Sequence, residues 1–532
     1  MRQALAIIAL LLALILDGEQ SVGASDGSVD VAEHPPDTAL APASLDPGST
    51  DTAEALLEIS PLLDGNVRAM ITHALTHPAL RGARVGLYAA SLDSGAMLLR
   101  KNPHLLLNPA SNAKLVTSAA ALALLGPEHR FATFYASDGE IVNGTLQGNL
   151  YVRGRGDPTI STERLLAVLH ELKLLGITKI EGRVLVDDSF FDGVREAKGW
   201  EQEDSDRAYA APVGALSLNY NTVTVIARPG PFVGSPAILT VDPPSDYIQL
   251  DAKVTTSDWN ARLYMRSFER GGRNVVRLRG HVSSDGGPQR IYRRVSDPAL
   301  HFASALVGML NDAGISVQRH PGRAYTPDRA RVLVTDRSPR LATVVAELNK
   351  WSNNFIAEML IKTLGAEIAG TPGSFERGLA VARQFLETEV GWRHGSYVFN
   401  NGSGLNDVNR FSTEQIAQLL RYMHGHAEAG HEFVSSLGVA GRQGTIALRL
   451  RDTAADRRLR AKTGTLSHVS ALSGYVVTAS GEPLVFSILV NGYDGSTRPI
   501  WEVQDMIGEA LAMYAGDLRD RMDATALHRS EP

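Results

Sequence analysis

The feature that most limits the folds open to this chain of 532 residues is a change of pattern in its middle. From about residue 131 to about residue 338, short β-branched segments alternate with turn residues and predict strands with two or three helices. Helical periodicity dominates from about residue 341 to about residue 431, before strands return. A chain this long exceeds a single hydrophobic core. We therefore expect two or three domains, with the strand-rich region inserted into a larger unit.

The composition excludes several classes of function before any motif is considered. A formal net charge of −6 leaves no basic surplus for a nucleic-acid partner. The chain has no cysteine, which removes disulfides, thiolate metal sites and a cysteine nucleophile. His424, His426 and His431 lie close together but among glycines, so we interpret them as an exposed loop. We predict no metal site and no cofactor.

The N-terminus predicts export. An unbroken apolar run, Ala4 to Leu16, follows Arg2 and is too short to cross a bilayer as a helix. Val22-Gly23-Ala24 offers small residues for cleavage, so we predict a signal peptide over residues 1–24 and a periplasmic location. An uncleaved membrane anchor is the alternative. The polar tail after Gly516 has no apolar face for the membrane, and we predict no stable anchor there.

Ser111 and Lys114 are the first candidates for chemistry. Pro109 stands ahead of an Ala- and Leu-rich run that ends at Gly126-Pro127, so the pattern predicts a helix with Ser111 near its start. Lys114, three residues on, lies along the same face. Burial disfavours an ammonium, so a buried Lys114 can take the proton of Ser111. The alternative is an ordinary helix with a lysine that extends to solvent.

Two later motifs supply partners for this pair. Ser352 and Asn354 stand ahead of the apolar helix face that begins at Phe355, and Lys462-Thr463-Gly464 lies in a predicted strand. Three short motifs in this order are far more specific than any one alone. Ser352 is suited to relay a proton between a leaving amine and Lys462, and Asn354 to hold a substrate amide.

The strand motif predicts how a peptide substrate is held. Lys462 adds positive charge towards a substrate carboxylate. Gly464 has no side chain, which lets a peptide lie antiparallel against the strand edge. The backbone N–H groups of Ser111 and Thr465 form the predicted oxyanion hole. Thr463, Gly464 and Thr465 are therefore predicted to bind substrate.

With these motifs the chain resembles the low-molecular-mass class C penicillin-binding proteins, serine D-alanyl-D-alanine carboxypeptidases and endopeptidases. Ser352 follows Ser111 by 241 residues, far more than a compact β-lactamase places between these motifs. The similarity runs from residue 56 to residue 515 and includes Leu216-Ser217-Leu218-Asn219 and Asn401-Gly402-Ser403-Gly404-Leu405. The resemblance implies an α/β fold: a serine β-lactamase/transpeptidase-like domain, an antiparallel sheet with helices, carrying two inserted, mainly β accessory domains.

The composition and the resemblance together imply a division of the chain. We place the signal peptide at 1–24, a disordered acidic linker at 25–53, the first part of the transpeptidase-like domain at 54–135, the inserted accessory region at 136–338 with a nested small β module at about 222–280, the second part of the transpeptidase-like domain at 339–516 and a polar tail at 517–532. The resemblance implies an acyl-enzyme on Ser111, peptidoglycan peptides as substrate and β-lactam antibiotics as inhibitors.

The predicted side-chain pocket departs from the family pattern. Asp204 and Tyr209 match family positions that hold the amino end of a peptidoglycan side chain. Relatives have an arginine, a partner for the diaminopimelate carboxylate, where this chain has Asp407. The reversed charge predicts a preference for an amidated or lysine-like third residue. Arg410 lies close enough in sequence to compensate.

Two other functions remain open on the same fold. One is a β-lactamase or esterase; Ser352 in place of a tyrosine, and the lack of an evident deacylating glutamate, argue against it. The other is a non-catalytic scaffold that binds penicillin or the cell wall. Three intact motifs argue against that reading.

Overall fold

The structure is a computed structural model that describes residues 57–202 and 205–515. The predicted signal peptide, the acidic linker, Asp204 and the polar tail lie outside the described residues.

The first part of the chain supplies three strands and two helices: β1 (Glu58–Ile59), α1 (Gly65–Leu75), β2 (Arg84–Ser91), β3 (Met97–Lys101) and α2 (Ala113–Leu125). The predicted hairpin is the antiparallel pair of β2 and β3. Helix α2 ends at Gly126, whose φ of 82° suits a residue without a side chain. The predicted start and end of this helix are therefore confirmed.

The middle of the chain is rich in strands, as its sequence pattern predicts. Its elements are β4 (Ala132–Ser137), β5 (Ile141–Val142), β6 (Thr145–Leu146), β7 (Leu150–Arg153), α3 (Thr162–Leu174), β8 (Lys179–Ile180), β9 (Val184–Asp187), β10 (Thr222–Arg228), β11 (Ile238–Asp242), β12 (Ile248–Ser257), β13 (Arg262–Arg270), β14 (Arg273–Ser283), β15 (Gln289–Arg294), α4 (Pro298–Asp312), β16 (Ser316–Val317), β17 (Gly322–Arg323) and β18 (Arg331–Arg337).

The last part returns to helices and then to strands. Its elements are α5 (Leu341–Trp351), α6 (Asn354–Ala369), α7 (Phe375–Phe385), α8 (Thr413–Gly425), α9 (Gly430–Ser436), β19 (Gly438–Val439), β20 (Leu459–Leu466), β21 (Val469–Val477), β22 (Pro483–Asn491) and α10 (Arg498–Met513).

One antiparallel sheet unites the two ends of the chain in the order β1-β3-β2-β22-β21-β20-β19. Successive residues of a strand face opposite sides, so Ala471 enters the core beneath α2 and α5 to α9 while Leu472 enters the core beneath α1 and α10. The sheet is therefore buried on both faces. This arrangement holds the Ser111 turn and strand β20 against each other.

The inserted region forms two further packed units. Sheets β17-β9-β7-β4-β18 and β16-β8-β6-β5 share a core with α3 and α4. Sheets β11-β10-β15 and β12-β14-β13 share a smaller core around Val225, Met265 and Leu278. This unit extends past the expected end of the small β module near residue 280, because β15 pairs with β10. The name small β module therefore means residues 222–294 from here on. None of the helices in the described parts of the chain has the length and apolar composition needed to span a bilayer.

Candidate active site

Ser111 lies in a single 3₁₀ turn, Ala110–Asn112, directly before α2. Lys114 is in the first turn of α2 and is completely buried. Its Nζ lies 3.0 Å from Oγ of Ser111. The helix start therefore places the hydroxyl of Ser111 and the amine of Lys114 in direct contact, as their spacing predicts.

Lys114 has two more oxygen partners. Its Nζ donates to Oδ1 of Asn354 at 2.7 Å and to the carbonyl oxygen of Ser403 at 2.5 Å. Burial lowers the pKa of Lys114 to about 7, although the negative charge of Glu358 acts in the opposite direction. A substantial fraction of the amine is therefore uncharged at neutral pH.

Ser352 and Lys462 form a second serine–lysine pair. Ser352 ends α5 with a φ of 59°, in the turn that leads into α6. Lys462, on β20, is buried. Its Nζ donates to Oγ of Ser352 at 2.8 Å and to the carbonyl oxygen of Thr463 at 2.8 Å. Burial, with the positive charge of Lys114, lowers the pKa of Lys462 well below its usual value. The positive charge predicted at Lys462 is therefore disfavoured until an anionic group approaches it.

Asn354 links the site to the inserted region. It begins α6, and while its Oδ1 accepts from Lys114 its Nδ2 donates to the carbonyl oxygen of Tyr209 at 3.1 Å. Tyr209 is thus next to the site through its backbone, and its side chain is partly exposed. The other predicted pocket residue, Asp204, lies outside the described residues.

Strand β20 offers an open edge beside Ser111. Strand β19 pairs only with Arg460 and Ala461, so within the described residues no strand covers the edge from Lys462 to Leu466. A Cβ on Gly464 would lie 3.0 Å from the backbone nitrogen of Ser111. The close packing therefore gives a second reason for a glycine at position 464. A side chain there would push the turn that carries Ser111 away from the strand. Oγ1 of Thr463 is 2.6 Å from Oγ1 of Thr445.

Glu358 is a site residue that the sequence analysis missed. It follows Asn354 by one helical turn, is completely buried, and accepts from the backbone N–H groups of Gly402 at 3.2 Å and Ser403 at 2.8 Å. Ser403 in turn presents its carbonyl oxygen to Lys114. Burial raises the pKa of Glu358, opposed by these hydrogen bonds and by the charge of Lys114. The available signal was a charged residue, one helical turn after Asn354, in a helix whose neighbouring residues are mainly apolar.

Asp407 does not stand as an uncompensated negative charge. Its carboxylate lies 2.7 Å from the guanidinium of Arg410 and accepts from Nδ2 of Asn108 at 2.8 Å. Burial of the carboxyl group is outweighed by Arg410, so the pKa of Asp407 is lower than usual. Arg410 thus balances the negative charge of Asp407, as its nearby position in the sequence allows.

No three His, Asp or Glu side chains of residues 57–202 and 205–515 come together as a metal site requires.

The sequence comparison decides the family. Residues 67–510 match the D-Ala-D-Ala carboxypeptidase 3 (S13) family. The chain belongs to this family. It is 35% identical over 463 residues to a D-alanyl-D-alanine carboxypeptidase of Actinomadura sp. (strain R39), covering 85% of each chain. It is 27% identical over 427 residues to the D-alanyl-D-alanine carboxypeptidase DacB of Haemophilus influenzae, covering 79% of this chain and 88% of the relative.

Solved structures agree with the family assignment. The crystal structure of penicillin-binding protein 4 from Haemophilus influenzae superposes with a TM-score of 0.72 at 25% identity, over 84% of this chain and all of that one. The same relative has also been solved with a β-lactam bound, and matches with a TM-score of 0.66 at 24% identity. The predicted class, a transpeptidase-like α/β domain with inserted sheet-containing domains, is confirmed.

Proposed function

We propose that the chain is a serine-type D-Ala-D-Ala carboxypeptidase with endopeptidase activity, which cleaves peptidoglycan peptides through an acyl-enzyme on Ser111. Membership of the S13 family supports the reaction class. The observation that carries the assignment of residues is the buried Nζ of Lys114, 3.0 Å from Oγ of Ser111.

The partners of Lys114 suit a proton acceptor. An uncharged amine has two N–H groups and one lone pair. Asn354 Oδ1 and the Ser403 carbonyl oxygen occupy both N–H groups. The lone pair then faces Oγ of Ser111 and takes its proton as Oγ attacks the acyl carbon.

The strand edge holds the peptide while the oxyanion forms. The substrate backbone pairs with β20 between Lys462 and Leu466, where the edge is open. The close approach of Gly464 to Ser111 supports an oxyanion hole made of the N–H groups of Ser111 and Thr465. Thr463 and Gly464 border the same edge.

The second pair handles the leaving group. When the C–N bond breaks, Ser352 gives its proton to the departing amine and is reprotonated from Lys462. A substrate carboxylate near Lys462 restores the positive charge that burial disfavours in the empty site. Acylation leaves the proton of Ser111 on Lys114 and leaves Lys462 one proton short. Transfer of a proton from Lys114 to Lys462 through solvent returns both amines to their starting states. Water then attacks the ester on Ser111, Lys114 takes a proton from the water, and that proton returns to Oγ of Ser111 as the acyl C–O bond breaks. No observation favours the β-lactamase, esterase or scaffold alternatives.

The remaining assignments follow from the sequence. We propose export to the periplasm after cleavage behind Ala24, with peptidoglycan peptides as substrate, β-lactams as inhibitors, and the domain boundaries given above. Asp204 and the side chain of Tyr209 are proposed to contact the substrate side chain. N-terminal sequencing of the protein from its producing cell tests export: a start near Ser25 is expected, and Met1 would contradict it.

The activity is tested by incubating the full chain with a soluble peptide that ends in D-Ala-D-Ala and with cross-linked muropeptide dimers. Release of D-alanine from the first and of monomers from the second is expected. Ser111→Ala should remove both activities, with loss on the order of 10³-fold or more. Full activity of Ser111→Ala, or no activity of the wild-type chain on either substrate, would overturn the proposal.

A further inference from the structure

The solvent-facing side of the sheet β12-β14-β13 is strongly cationic. Its register sets Arg266 opposite Arg277, and Tyr264 opposite Arg279. The alternate positions point into the core of the small β module. The outward positions include Lys253, Arg262, Tyr264, Arg266, Phe268, Arg277, Arg279 and His281. Asp251 is the one carboxylate at the paired outward positions of these three strands. We call this surface the arginine face.

The arginine face concentrates positive charge in a chain that is negative as a whole. Residues 222–294 contain eleven Lys and Arg and six Asp and Glu, in a chain of net charge −6. The guanidinium of Arg262 stacks on Tyr264 and that of Arg277 on Phe268, each 5.3 Å from the ring centre. Asp251 pairs with Arg277 and Arg279, whereas Arg266 is 69% exposed and lies 3.8 Å from Asp206. A surplus of exposed cations therefore remains.

Apolar side chains are exposed at one end of the same sheet. Trp259, in the turn between β12 and β13, is 73% exposed, and Phe232 and Val233, in the loop between β10 and β11, are also exposed. The backbone N–H of Gly234 donates to the carbonyl oxygen of Thr256 at 2.8 Å. This bond holds the Phe232 loop against the end of β12, next to the Trp259 turn.

We propose that the arginine face and its Trp259 end form a docking surface for an anionic lipid bilayer. Tryptophan and phenylalanine rings favour the interface between water and acyl chains. Arginine is attracted to anionic headgroups and matches phosphate oxygens with paired N–H groups. The surface therefore combines one cationic face of a three-stranded sheet with exposed apolar side chains at one end.

The exposed apolar end distinguishes a bilayer from a soluble anionic polymer. A polymer would pair with the arginines but would gain little from Trp259, Phe232 and Val233, which have no charge to offer it. A bilayer uses both features at once. Docking of this kind would hold an exported enzyme near a membrane through the surface of the small β module.

The test is sedimentation of the full chain with vesicles of phosphatidylcholine, with or without phosphatidylglycerol. We expect binding to the anionic vesicles that weakens with salt and weak binding to the neutral ones. Trp259→Ser should weaken binding to the anionic vesicles by about fivefold, and Arg262→Glu combined with Arg266→Glu by about tenfold or more. Both variants should hydrolyse a soluble D-Ala-D-Ala peptide as the wild type does, because neither touches the active site.

Two matched variants control for exposure alone. Tyr325→Ser removes another exposed aromatic ring, outside the small β module, and Arg498→Glu reverses another exposed arginine. Neither should change vesicle binding. Equal binding to neutral and anionic vesicles, or binding that the module variants leave unchanged, would overturn the proposal. So would binding to heparin, a soluble anionic polysaccharide, that needs the two arginines while the vesicles do not bind. If the wild-type chain binds anionic vesicles but does not hydrolyse the peptide, the proposed function is contradicted and the docking proposal is not.

Discussion

The active site and the arginine face both gather cationic side chains, but in opposite environments. Lys114 and Lys462 are completely buried, whereas Arg266 is 69% exposed. Burial lowers the pKa of Lys114 to about 7. An exposed guanidinium keeps its charge at every pH that the protein meets. In the proposed function, cationic residues therefore serve as proton acceptors in one region and as permanent charges in the other.

The difference shows that environment and side-chain chemistry have to match. A lysine can lose its proton when its amine is desolvated, and an arginine cannot. The active site uses the residue that titrates, and the sheet face uses mainly the residue that does not. Exchanging the two residue types should harm the site severely and the sheet hardly at all.

The largest effect is expected for Lys114→Arg. The guanidinium retains the positive charge but cannot accept the proton of Ser111, so hydrolysis and acylation by benzylpenicillin should both fall by about 10³-fold or more. Both rates should fall as far in Lys114→Ala. That variant should retain the fold, because the substitution removes a buried charge that is costly to hold. Steady-state kcat/KM and the rate of adduct formation measure this.

The matched control is Arg266→Lys, the reverse exchange on the arginine face. It should leave kcat/KM within about twofold of the wild type, because exposed substitutions away from special sites have small effects. A Lys114→Arg enzyme with a tenth or more of wild-type activity would show that the uncharged amine is not needed.

A smaller effect is expected for Glu358→Gln. Glu358 fixes the Gly402–Ser403 backbone whose carbonyl oxygen contacts Lys114, so kcat/KM should fall by about tenfold. The negative charge of Glu358 raises the pKa of Lys114. Its removal should therefore also move the acid limb of the pH–rate profile to lower pH, which a purely structural loss would not do.

Glu347→Gln is the matched control for that experiment. Glu347 is a largely buried carboxylate on α5 that bonds to the hydroxyl of Tyr220 and is not among the groups acting on Lys114. The acid limb of the pH–rate profile of Glu347→Gln should lie at the same pH as that of the wild type. An unmoved limb in Glu358→Gln would mean that Glu358 supports the loop without tuning the amine.

The smallest effect is expected for Asp407→Arg. Because Arg410 already compensates Asp407 and the pair is partly exposed, the change should shift selectivity between a free carboxylate and an amide at the third residue by about three- to tenfold. The direction should favour the free carboxylate. The ratio of kcat/KM for the two peptides, in both enzymes, measures the shift.

Asp285→Arg, an exposed substitution in the small β module, should leave that ratio unchanged. Equal ratios in the wild type and Asp407→Arg would place Asp407 outside the substrate's reach.

Local patterns predicted much of the fold and singled out most of the residues that meet in the candidate site. Pro109 and Gly126 marked the ends of the segment that carries Ser111 and Lys114, because turn and cap preferences act within a few residues. The hairpin and the strand of Lys462 were likewise visible from alternation.

Contacts between distant parts of the chain were not predictable in this way. The partners of Glu358 lie more than 40 residues along the chain, and Asn354 reaches Tyr209 through a backbone oxygen, which leaves no trace in side-chain identity. The charge of Asp407 is balanced only because the side chain of Arg410 points towards it. Such features follow from tertiary packing, and one sequence alone does not reveal them.

The central claim is that Lys114, uncharged near neutral pH, activates Ser111. The most direct measurement is the rate of acylation by benzylpenicillin between about pH 5 and about pH 9, with the modified peptide identified by mass spectrometry. Because the base is the deprotonated amine, the rate should be highest above the pKa of about 7. Below it the rate should fall about tenfold for each pH unit, with one adduct on Ser111. A rate that does not change across this range, or an adduct that persists in Ser111→Ala, would contradict the account.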